Sequence, residues 1–311
     1  MAMINEFVDG TRISGQFLIG NVTKGTNNFG AIYLTIEFRD ASGSINGKKW
    51  DSTDEDEALY ATGNVVFLEA EVLKYKDALQ LKILSGKLVA MDEIDITKFV
   101  KAPPIPFEEL WKQFAYYVDS IKDSDCRTIL AYFIKKYDAK LRVYPAGVSV
   151  HHEYASGLLV HVTTMAKIAD LLVPLYDDVN RDILLTGVLL HDFGKMDEFE
   201  GPVVYRYTLE GKLLGHITMM VSEIRKIAEA EHITSEVPLL LEHMVLSHHG
   251  DPEFGSPVAP LTKEALLLSM IDNLDSKMVI ACKALEQVKP GEFSQRVFPL
   301  DGRTLYQPLK K

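Results

Sequence analysis

Histidine and aspartate residues recur in the second half of this 311-residue sequence, next to or within apolar segments. His191-Asp192 and His248-His249 each close an apolar run, and Asp272 stands inside another. Imidazole and carboxylate groups are the ligands that Mn, Fe, Co and Zn ions take from proteins. The residues that we expect to hold such ions are His161, His191, Asp192, His216, His248, His249 and Asp272.

The local sequence indicates how these side chains can meet. The carboxylate of Asp272 would be costly to bury in its apolar segment without a cation or another partner. Adjacent helical residues diverge by about 100°, so His191 and Asp192 can share one ion only beyond the end of their helix. Gly194 is predicted to end that helix in a left-handed conformation. A single histidine at a helix end is more often a capping or surface residue, so the metal prediction depends on the whole set.

The elements that must position this set are helices. From Phe107 onward the apolar residues recur with the period of a helix. Helices that carry the set are predicted over residues 157–173, 181–192, 216–230, 237–248 and 262–288. Since each has an apolar face, we expect them to pack around one core and to bring the polar residues together.

The first part of the chain has a different pattern. Residues 11–91 are rich in β-branched and aromatic residues, and Tyr33, Thr35 and Glu37 alternate with apolar neighbours, as in a half-buried strand. Turn residues, among them Asn46-Gly47, separate the runs. We predict short strands that close into a small five-stranded barrel, because closure removes exposed sheet edges.

The change from the first pattern to the second falls at Ala102-Pro-Pro-Ile-Pro106, which is predicted to be a stiff linker. We therefore expect three segments along the chain. They are a barrel over residues 1–92, a Pro-rich linker over residues 93–106 and an all-α domain over residues 107–311, with its core at about 150–280.

Composition narrows the class of protein. Hydrophobic residues make up 47 % and charged residues 25 % of the sequence, as in ordinary folded proteins. The N-terminus lacks a signal-peptide pattern, and no uninterrupted apolar run approaches the length of a membrane span. Two cysteines, Cys126 and Cys282, fit a reducing compartment, so we expect a cytoplasmic protein that binds no membrane. The net charge of −11 argues against non-specific coating of a nucleic-acid duplex.

Five motifs occur in order along the second part of the chain: Gly157-Leu-Leu-Val-His161, Leu189-Leu-His-Asp-Phe-Gly-Lys195, Leu213-Leu-Gly-His216, Ser247-His-His-Gly250 and Met270-Ile-Asp-Asn-Leu-Asp275. As a set they resemble the HD-domain superfamily of metal-dependent phosphohydrolases. A barrel before such a domain, with His151-His152 upstream of the first motif, is similar to the bacterial YhaM-type 3′→5′ exoribonucleases, in which an OB-fold precedes the HD domain. Residues 40–43, 49–51 and 79–81 are similar to the turn, tryptophan strand and final strand of that OB-fold.

The resemblance implies a multidomain α and β protein, with an N-terminal five-stranded OB-fold β-barrel followed by an all-α HD-domain helical bundle. It also implies two divalent ions, with manganese favoured over iron, cobalt or zinc. The first ion would be bound by His161, His191, Asp192 and Asp272. The second would be bound by His216 and by one or both of His248 and His249, with Asp192 bridging. Valines flank His161 where relatives often carry Glu-His-Thr, so the groups that support this ligand are expected to differ.

The activity that the resemblance implies is metal-dependent 3′→5′ exoribonuclease activity. Single-stranded RNA would be degraded to nucleoside 5′-monophosphates by attack of a metal-activated hydroxide on the phosphodiester. Asp192 and Lys195 are the catalytic candidates, and Lys195 would neutralise a phosphate oxygen or, alternatively, stabilise the C-terminal end of its helix. His151 and His152 would donate to a phosphate or else lie in a polar loop. Single-stranded DNA as a further substrate and a homo-oligomeric state are left open.

The barrel would hold the strand, because OB-folds stack bases on aromatic side chains. The aromatic candidates are Tyr33, Trp50 and Tyr75, with Lys48, Lys49, Lys74 and Lys76 close in sequence for contacts with phosphates. Phe38 is expected to fill the barrel core instead.

Two other functions stay open at the level of sequence. A phosphohydrolase of small nucleotides or cyclic dinucleotides would need no strand-binding barrel. The Gly-Tyr-Pro signature of enzymes that act on cyclic di-GMP is also replaced here by Gly250-Asp-Pro252. A non-catalytic adaptor that binds nucleic acid is disfavoured, because every expected ligand position is filled.

Overall fold

The computed structural model describes residues 3–27, 30–76, 78–90, 93–95, 98–99, 105–144, 155–201, 206–250, 255–286 and 288–309. The chain forms two compact units, one of Met1–Ala102 with Glu200–Arg206 and one of Pro103–Phe199 with Tyr207–Lys311. His151 and His152, the predicted phosphate contacts, lie outside the described residues.

The first unit is built on a barrel. Its strands are β1 (Arg12–Thr26), β2 (Ile32–Asp40), β3 (Gly43–Lys49), β4 (Val65–Tyr75) and β5 (Ala78–Leu88), and a short helix, α1 (Asp54–Leu59), lies between β3 and β4. The barrel closes in the order β1-β2-β3-β5-β4, with a parallel pairing of β3 and β5 and antiparallel pairings elsewhere. This five-stranded closed barrel is the predicted OB-fold.

The core of the barrel follows the alternation along β2. Leu34, Ile36 and Phe38 are buried and alternate with partly exposed residues. The ring of Phe38 is completely buried and packs edge-to-face against Phe17 and Tyr60. The expectation that Phe38 fills the core is therefore confirmed.

Asn46-Gly47 does not form a turn, which contradicts our expectation. Asn46 lies in β3, where it pairs with Glu37 of β2 and with a residue of β5. A Cβ atom on Gly47 would lie 2.8 Å from a ring carbon of Phe38 and 3.0 Å from the carbonyl oxygen of Leu81. The glycine therefore permits close packing of β3 on its neighbours, and this requirement overrides the preference of the dipeptide for a hairpin turn.

The second unit is helical. Its helices are α2 (Phe107–Ser120), α3 (Ser124–Leu141), α4 (Gly157–Leu172), α5 (Arg181–Leu190), α6 (Lys195–Glu198), α7 (Leu209–Ala230), α8 (Val237–Ser247) and α9 (Lys263–Leu285). Two short paired strands, β6 (Phe199–Glu200) and β7 (Arg206–Tyr207), lie between α6 and α7. The predicted all-α second part is confirmed, although α7 begins before His216 and is kinked at Gly215.

The segment Gly157–Leu175, which contains α4, is long and apolar enough to cross a membrane, with a mean hydropathy of 1.6. Half of this segment is buried inside the protein, and the side chain of His161 on it is completely buried. A helix that is apolar on all sides is expected at the centre of a helical bundle. We therefore interpret α4 as the core helix of the second unit.

Polar side chains define where three of the helices begin. The side chains of Asn180, Thr208 and Thr262 accept hydrogen bonds from backbone N–H groups in the first turns of α5, α7 and α9. A cap of this kind typically contributes about 1 kcal/mol to stability. These caps help to set where each of the three helices begins.

Candidate metal centre

Five helices of the second unit bring the predicted ligands together. His161 lies on α4, Asp272 lies on α9, and His216 follows the kink in α7. The ends of α5 and α8 supply the adjacent pairs His191-Asp192 and His248-His249. The ligand atoms of these residues form three overlapping groups, and in each group all atoms lie within 4.8 Å of one another.

The cluster is buried in an apolar surrounding. His161 and His191 are completely inaccessible to solvent, and Asp192 and His248 are at most 2 % exposed. Charged side chains are rarely buried to this extent unless they are paired or coordinate a metal ion. The burial of so many titratable groups at one place therefore requires a specific explanation.

The carboxylate of Asp192 lies at the centre of the cluster. Its Oδ2 atom is 3.8 Å from Nε2 of His161 and 3.5 Å from Nε2 of His191. Its Oδ1 atom is 3.7 Å from Nε2 of His216 and 3.7 Å from Nε2 of His248. These separations are longer than ordinary hydrogen bonds, and they exceed by at most a few tenths of an ångström the spacing of about 3.0–3.5 Å between ligand atoms held about 2.1 Å from one ion. Each oxygen thus forms, with two imidazole groups, a set that fits one ion.

Several polar atoms of the cluster are buried and have no hydrogen-bond partner among the described residues. They are the Nε2 atoms of His191, His216 and His248, the Nδ1 atom of His249 and the Oδ1 atom of Asp192. Leaving such an atom unsatisfied costs about 1–3 kcal/mol. Divalent cations would bind these atoms, so the residues present fit the kind of site that the sequence predicts.

Hydrogen bonds at Nδ1 help to turn the imidazole rings so that Nε2 faces Asp192. His191 donates from Nδ1 to the carbonyl oxygen of Val188 at 2.9 Å, and His248 donates to that of Val245 at 2.7 Å. Both carbonyls lie in the last turn of the preceding helix. A ring that carries its proton on Nδ1 presents the lone pair of Nε2, which is the group that a metal ion binds.

Two other rings are oriented by carboxylates. Nδ1 of His161 lies 2.7 Å from Oδ2 of Asp275 on α9, and Nδ1 of His216 lies 3.0 Å from Oε2 of Glu198 on α6. Neither carboxylate is among the site residues predicted from the sequence. The spacing of three residues after Asp272 was a signal for Asp275, whereas no sequence pattern links Glu198 to His216.

The local charges favour the protonation states that metal binding requires. Burial alone would raise the pKa of Asp192, but Lys195 and His191 hold it well below its usual value. Burial, reinforced by His191, lowers the pKa of His248 well below its usual value. Asp192 is thus anionic and His248 neutral at neutral pH, and these are the forms that bind metal ions.

A separate group of aromatic and basic side chains lies on the barrel. The ring centroids of Tyr33 and Trp50 are 5.0 Å apart. The Nζ atom of Lys48 lies 4.9 Å from the first centroid and 5.1 Å from the second. The side chain of Trp50 is 50 % exposed, so one cation and two rings form a surface that solvent can reach. We call these three residues the Trp50 cluster.

The remaining barrel candidates differ in their surroundings. Tyr75 is 57 % exposed, and Nζ of Lys76 lies 5.5 Å from its ring centroid. Lys49, which was expected to meet phosphates, lies 3.2 Å from a carboxylate oxygen of Asp56. Tyr75 is therefore open to a ligand, whereas the charge of Lys49 is already offset.

Comparison with known proteins identifies the family. The family model for the HD domain matches residues 158–277, a range that includes the predicted ligands. A 3′-5′ exoribonuclease YhaM from Geobacillus sp. (strain WCH70) is 43 % identical over 301 residues, which cover 96 % of this chain and 93 % of the relative. The 3′-5′ exoribonuclease YhaM of Bacillus subtilis (strain 168) is 42 % identical over 300 residues, or 96 % of each chain. The chain belongs to the YhaM family.

Membership of the YhaM family confirms the resemblance found in the sequence, and the HD domain implies dependence on a divalent metal ion. Part of the chain also aligns with a solved structure, the second OB-fold domain of replication protein A from Methanococcus maripaludis. The alignment has 13 % identity and a TM-score of 0.24, and it covers 30 % of this chain and 96 % of that domain. The OB-fold of this YhaM-family chain is assigned from the strand order of its closed barrel instead.

Lys195 of this YhaM-family chain is the first residue of α6, and its Nζ atom lies 2.7 Å from Oδ2 of Asp192. Burial opposes the positive charge, yet Asp192 raises the pKa of Lys195 above its usual value. The ammonium group is thus a buried cation beside the central carboxylate. It follows the last turn of α5, and the alternative role at the end of that helix stays a prediction.

Gly194 does not end α5 in a left-handed conformation, which corrects our expectation. Its φ of −58° and ψ of −24° are right-handed, and α6 follows directly. A Cβ atom at this position would collide with the backbone carbonyl of His216. The glycine is needed for the close approach of α6 to α7, and local sequence does not distinguish this need from that of a helix-ending turn.

His248 and His249 both lie next to His216. Their ring centroids are 5.9 Å and 5.8 Å from that of His216. His248 is the residue whose Nε2 atom faces Asp192 at 3.7 Å. Burial also lowers the pKa of His249, so both rings offer neutral imidazole groups beside His216.

Proposed function

We propose that this chain is a metal-dependent 3′→5′ exoribonuclease that releases nucleoside 5′-monophosphates from single-stranded RNA. The observation that carries the proposal is the arrangement of four imidazole Nε2 atoms around the carboxylate of Asp192. This arrangement occurs in a chain that is 43 % identical to a YhaM exoribonuclease over 96 % of its length. Action on small nucleotides or a purely adaptor role is not favoured, because the similarity extends beyond the HD domain to the barrel.

We assign two divalent ions to the cluster, with Asp192 as the shared ligand. The proposed ligands of the first are His161, His191, Asp192 and Asp272, and those of the second are Asp192, His216 and His248, with His249 beside them. The support for this division is that each oxygen of Asp192 faces two imidazole groups. Bound divalent ions would supply an activated water and polarise the phosphodiester. Manganese is our first choice, and iron, cobalt and zinc suit the same donors.

We assign Lys195 to the phosphate of the substrate. Its ammonium group is held 2.7 Å from Asp192, so a phosphate that reaches the centre also reaches this cation. A cation placed there offsets the negative charge that develops on the phosphate oxygens during the displacement. His151 and His152 stay predictions as further phosphate contacts.

We propose that residues 1–92 bind the RNA strand, that residues 107–311 hydrolyse it, and that residues 93–106 link the two parts. The support is the Trp50 cluster together with the exposed ring of Tyr75. Stacking on aromatic rings tolerates any base, because every base has a π-face. A surface of this kind suits an exonuclease that must pass along varied sequences, and it would also accept single-stranded DNA.

We place the protein in the cytoplasm. Both cysteines are free, as is usual in a reducing compartment. Burial raises the pKa of the Cys126 thiol to about 12, so this thiol is unreactive. A homo-oligomeric state stays a prediction, which light scattering coupled to size-exclusion chromatography would test.

A time course on 5′-labelled single-stranded RNA tests the proposed function. With Mn²⁺ present, we expect labelled products that shorten progressively from the 3′ end, with release of nucleoside 5′-monophosphates. A chelator is expected to abolish the reaction. RNA that stays intact in the presence of Mn²⁺ would contradict the nuclease assignment, and products shortened from the 5′ end would contradict the direction.

A further inference from the structure

We propose that Asp275 and Glu198 are positioning residues of the metal centre. Each carboxylate orients one histidine ligand and strengthens the bond of that ligand to the ion. The inference rests on the metal centre assigned under the proposed function. Neither residue is a proposed ligand, and each acts through the imidazole ring that it contacts.

The histidine ligands differ in their positions in the helices and in the partners of their Nδ1 atoms. His191 and His248 follow the ends of α5 and α8, where the last backbone carbonyls of a helix have no partner within the helix. Their Nδ1 atoms bond to two such carbonyls. His161 lies inside α4, where the carbonyls one turn earlier are used by the helix itself. The Nδ1 atom of His161 therefore requires a partner from another helix. His216 is the first residue after the kink at Gly215 in α7, and its Nδ1 atom also faces a side chain of another helix.

Asp275 meets this requirement for His161. It is buried on α9, one turn beyond Asp272, and its Oδ2 atom lies 2.7 Å from Nδ1 of His161. Nε2 of the same ring lies 3.3 Å from Oδ1 of Asp272. One face of α9 thus supplies both a proposed ligand and the carboxylate that fixes the neighbouring ligand.

Glu198 is the side chain that Nδ1 of His216 faces. It is buried at the end of α6, and its Oε2 atom lies 3.0 Å from Nδ1 of His216. The backbone of Glu198 is held against α7, because its carbonyl oxygen accepts a hydrogen bond of 2.9 Å from the N–H group of Thr208. A Cβ atom on Gly211 would collide with that same carbonyl. The close contact between α6 and α7 therefore holds the Glu198 carboxylate beside the ring.

The two carboxylates support different halves of the centre. His161 faces Oδ2 of Asp192, whereas His216 faces Oδ1. A carboxylate that accepts the Nδ1 proton fixes the ring and makes the opposite nitrogen a stronger ligand. Removal of such a partner typically lowers metal affinity by about 10–100-fold. We therefore expect Asp275 and Glu198 each to affect metal binding without binding the ion.

The test is a Mn²⁺ titration of the full-length protein after treatment with a chelator, with free Mn²⁺ followed by electron paramagnetic resonance. Asp275→Asn and Glu198→Gln keep the shape of each side chain and remove its negative charge. We expect each variant to lose about 10–100-fold in affinity for Mn²⁺. The visible absorption of bound Co²⁺ is also expected to change in each, because the orientation and donor strength of a ligand differ.

Matched controls come from acidic residues on the same two helices that do not contact a histidine ligand. Asp197 on α6 accepts a hydrogen bond from Tyr137, and Glu264 on α9 accepts one from the backbone N–H group of Asn180. Asp197→Asn and Glu264→Gln are expected to keep the affinity of the wild type. Circular dichroism of each variant verifies that it is folded, and Asp275→Ala or Glu198→Ala, which also remove the negative charge, replace the amide variants if these do not fold.

Each variant tests the positioning role of the residue that it replaces. Affinity and Co²⁺ absorption equal to those of the wild type, in an assay where Asp192→Ala abolishes binding, would overturn the role of that residue. A wild-type protein that binds no Mn²⁺ would overturn the inference together with the metal centre. Because the titration uses no RNA, a protein that binds Mn²⁺ as described and leaves RNA intact would contradict the proposed function alone.

Discussion

His161 must give up its Nε2 proton before it can bind a metal ion. Burial alone would lower the pKa of His161, but hydrogen bonds with Asp272 and Asp275 raise it to about 9. At neutral pH the ring is therefore protonated on both nitrogens as long as no ion is bound. An arriving ion has to displace one proton from it.

We therefore predict that metal affinity increases with pH. Below the pKa of about 9, the association constant is expected to rise with pH because binding releases the proton from His161. The slope is at most about tenfold per pH unit for one displaced proton, and it levels off once the pH exceeds the pKa. Calorimetric titration with Mn²⁺ in buffers of different ionisation enthalpy measures both the affinity and the number of protons released.

The control for this pH dependence is Asp275→Asn. Loss of that carboxylate lowers the pKa of His161 towards its usual value, so the rise in affinity should level off at a lower pH. Metal affinity in the wild type that is constant between neutral pH and pH 9 would show that His161 is not protonated in the metal-free protein.

Helix α7 is kinked at Gly215, directly before His216. Gly215 has a φ of 72° and a ψ of 155°, a combination that is open essentially to glycine alone. The nearest atom that an added Cβ would meet is Oε1 of Glu198, at 3.9 Å. Space is therefore available, and the cost of a substitution comes from the backbone conformation.

We predict that Gly215→Ala destabilises the protein and weakens metal binding. A side chain in this conformation costs about 1–3 kcal/mol, and relief of the strain would straighten α7 and turn His216 away from Asp192. Urea unfolding and Mn²⁺ titration measure the two effects. Leu213→Ala is the control, since this nearby leucine is 74 % exposed. Stability and affinity equal to those of the control would show that the kink is not required.

The helices that carry the proposed ligands are predictable because their apolar residues repeat over their whole length. Residues 181–192, for example, correspond to α5 and the ligand pair that follows it. The short elements are not predictable in this way, because α6, β6 and β7 contain four residues or fewer. The predictions for Gly194 and Gly47 were wrong because each glycine is required by a close contact with a segment that is distant in the sequence. Local sequence does not reveal such contacts.

The residues of the metal centre also differ in whether local sequence features reveal them. The seven ligand candidates could be proposed from the sequence because residue type and position next to or within apolar segments are local features. The spacing after Asp272 marks Asp275 as a candidate, but the roles of Asp275 and Glu198 could not be predicted, because each role depends on a ring that folding brings to the carboxylate. Asp275 and His161 are 114 positions apart in the sequence, and no periodicity connects them.

The net charge of the whole molecule opposes the binding of the proposed substrate, because the chain has a net charge of −11 and RNA is an anion. Residues 1–91 contain nine Lys and Arg residues and twelve Asp and Glu residues. Helix α1 further offsets Lys24 and Lys49 through ion pairs with Glu57 and Asp56. Stacking on aromatic rings must therefore supply much of the strand binding.

We predict that Trp50→Ala weakens the binding of long single-stranded RNA and leaves the cleavage of a dinucleotide unchanged. A stacked base contributes about 1–3 kcal/mol, so the affinity for the long strand should fall by about 5- to 150-fold. Fluorescence anisotropy measures the first quantity and product release the second. Tyr176→Ala, at an aromatic residue of the second unit that is 53 % exposed, serves as the control. Equal losses for both substrates would show that the Trp50 cluster is structural.

Asp192 is the proposed shared ligand of the metal ions that cleave RNA. The most direct measurement determines metal content and RNA cleavage on the same preparations of wild-type protein and Asp192→Ala, with strand affinity measured in parallel. We predict that Asp192→Ala loses bound metal and cleavage together and still binds single-stranded RNA through the barrel. An Asp192→Ala protein that degrades RNA at the wild-type rate would contradict the proposed role of Asp192 in metal binding and cleavage.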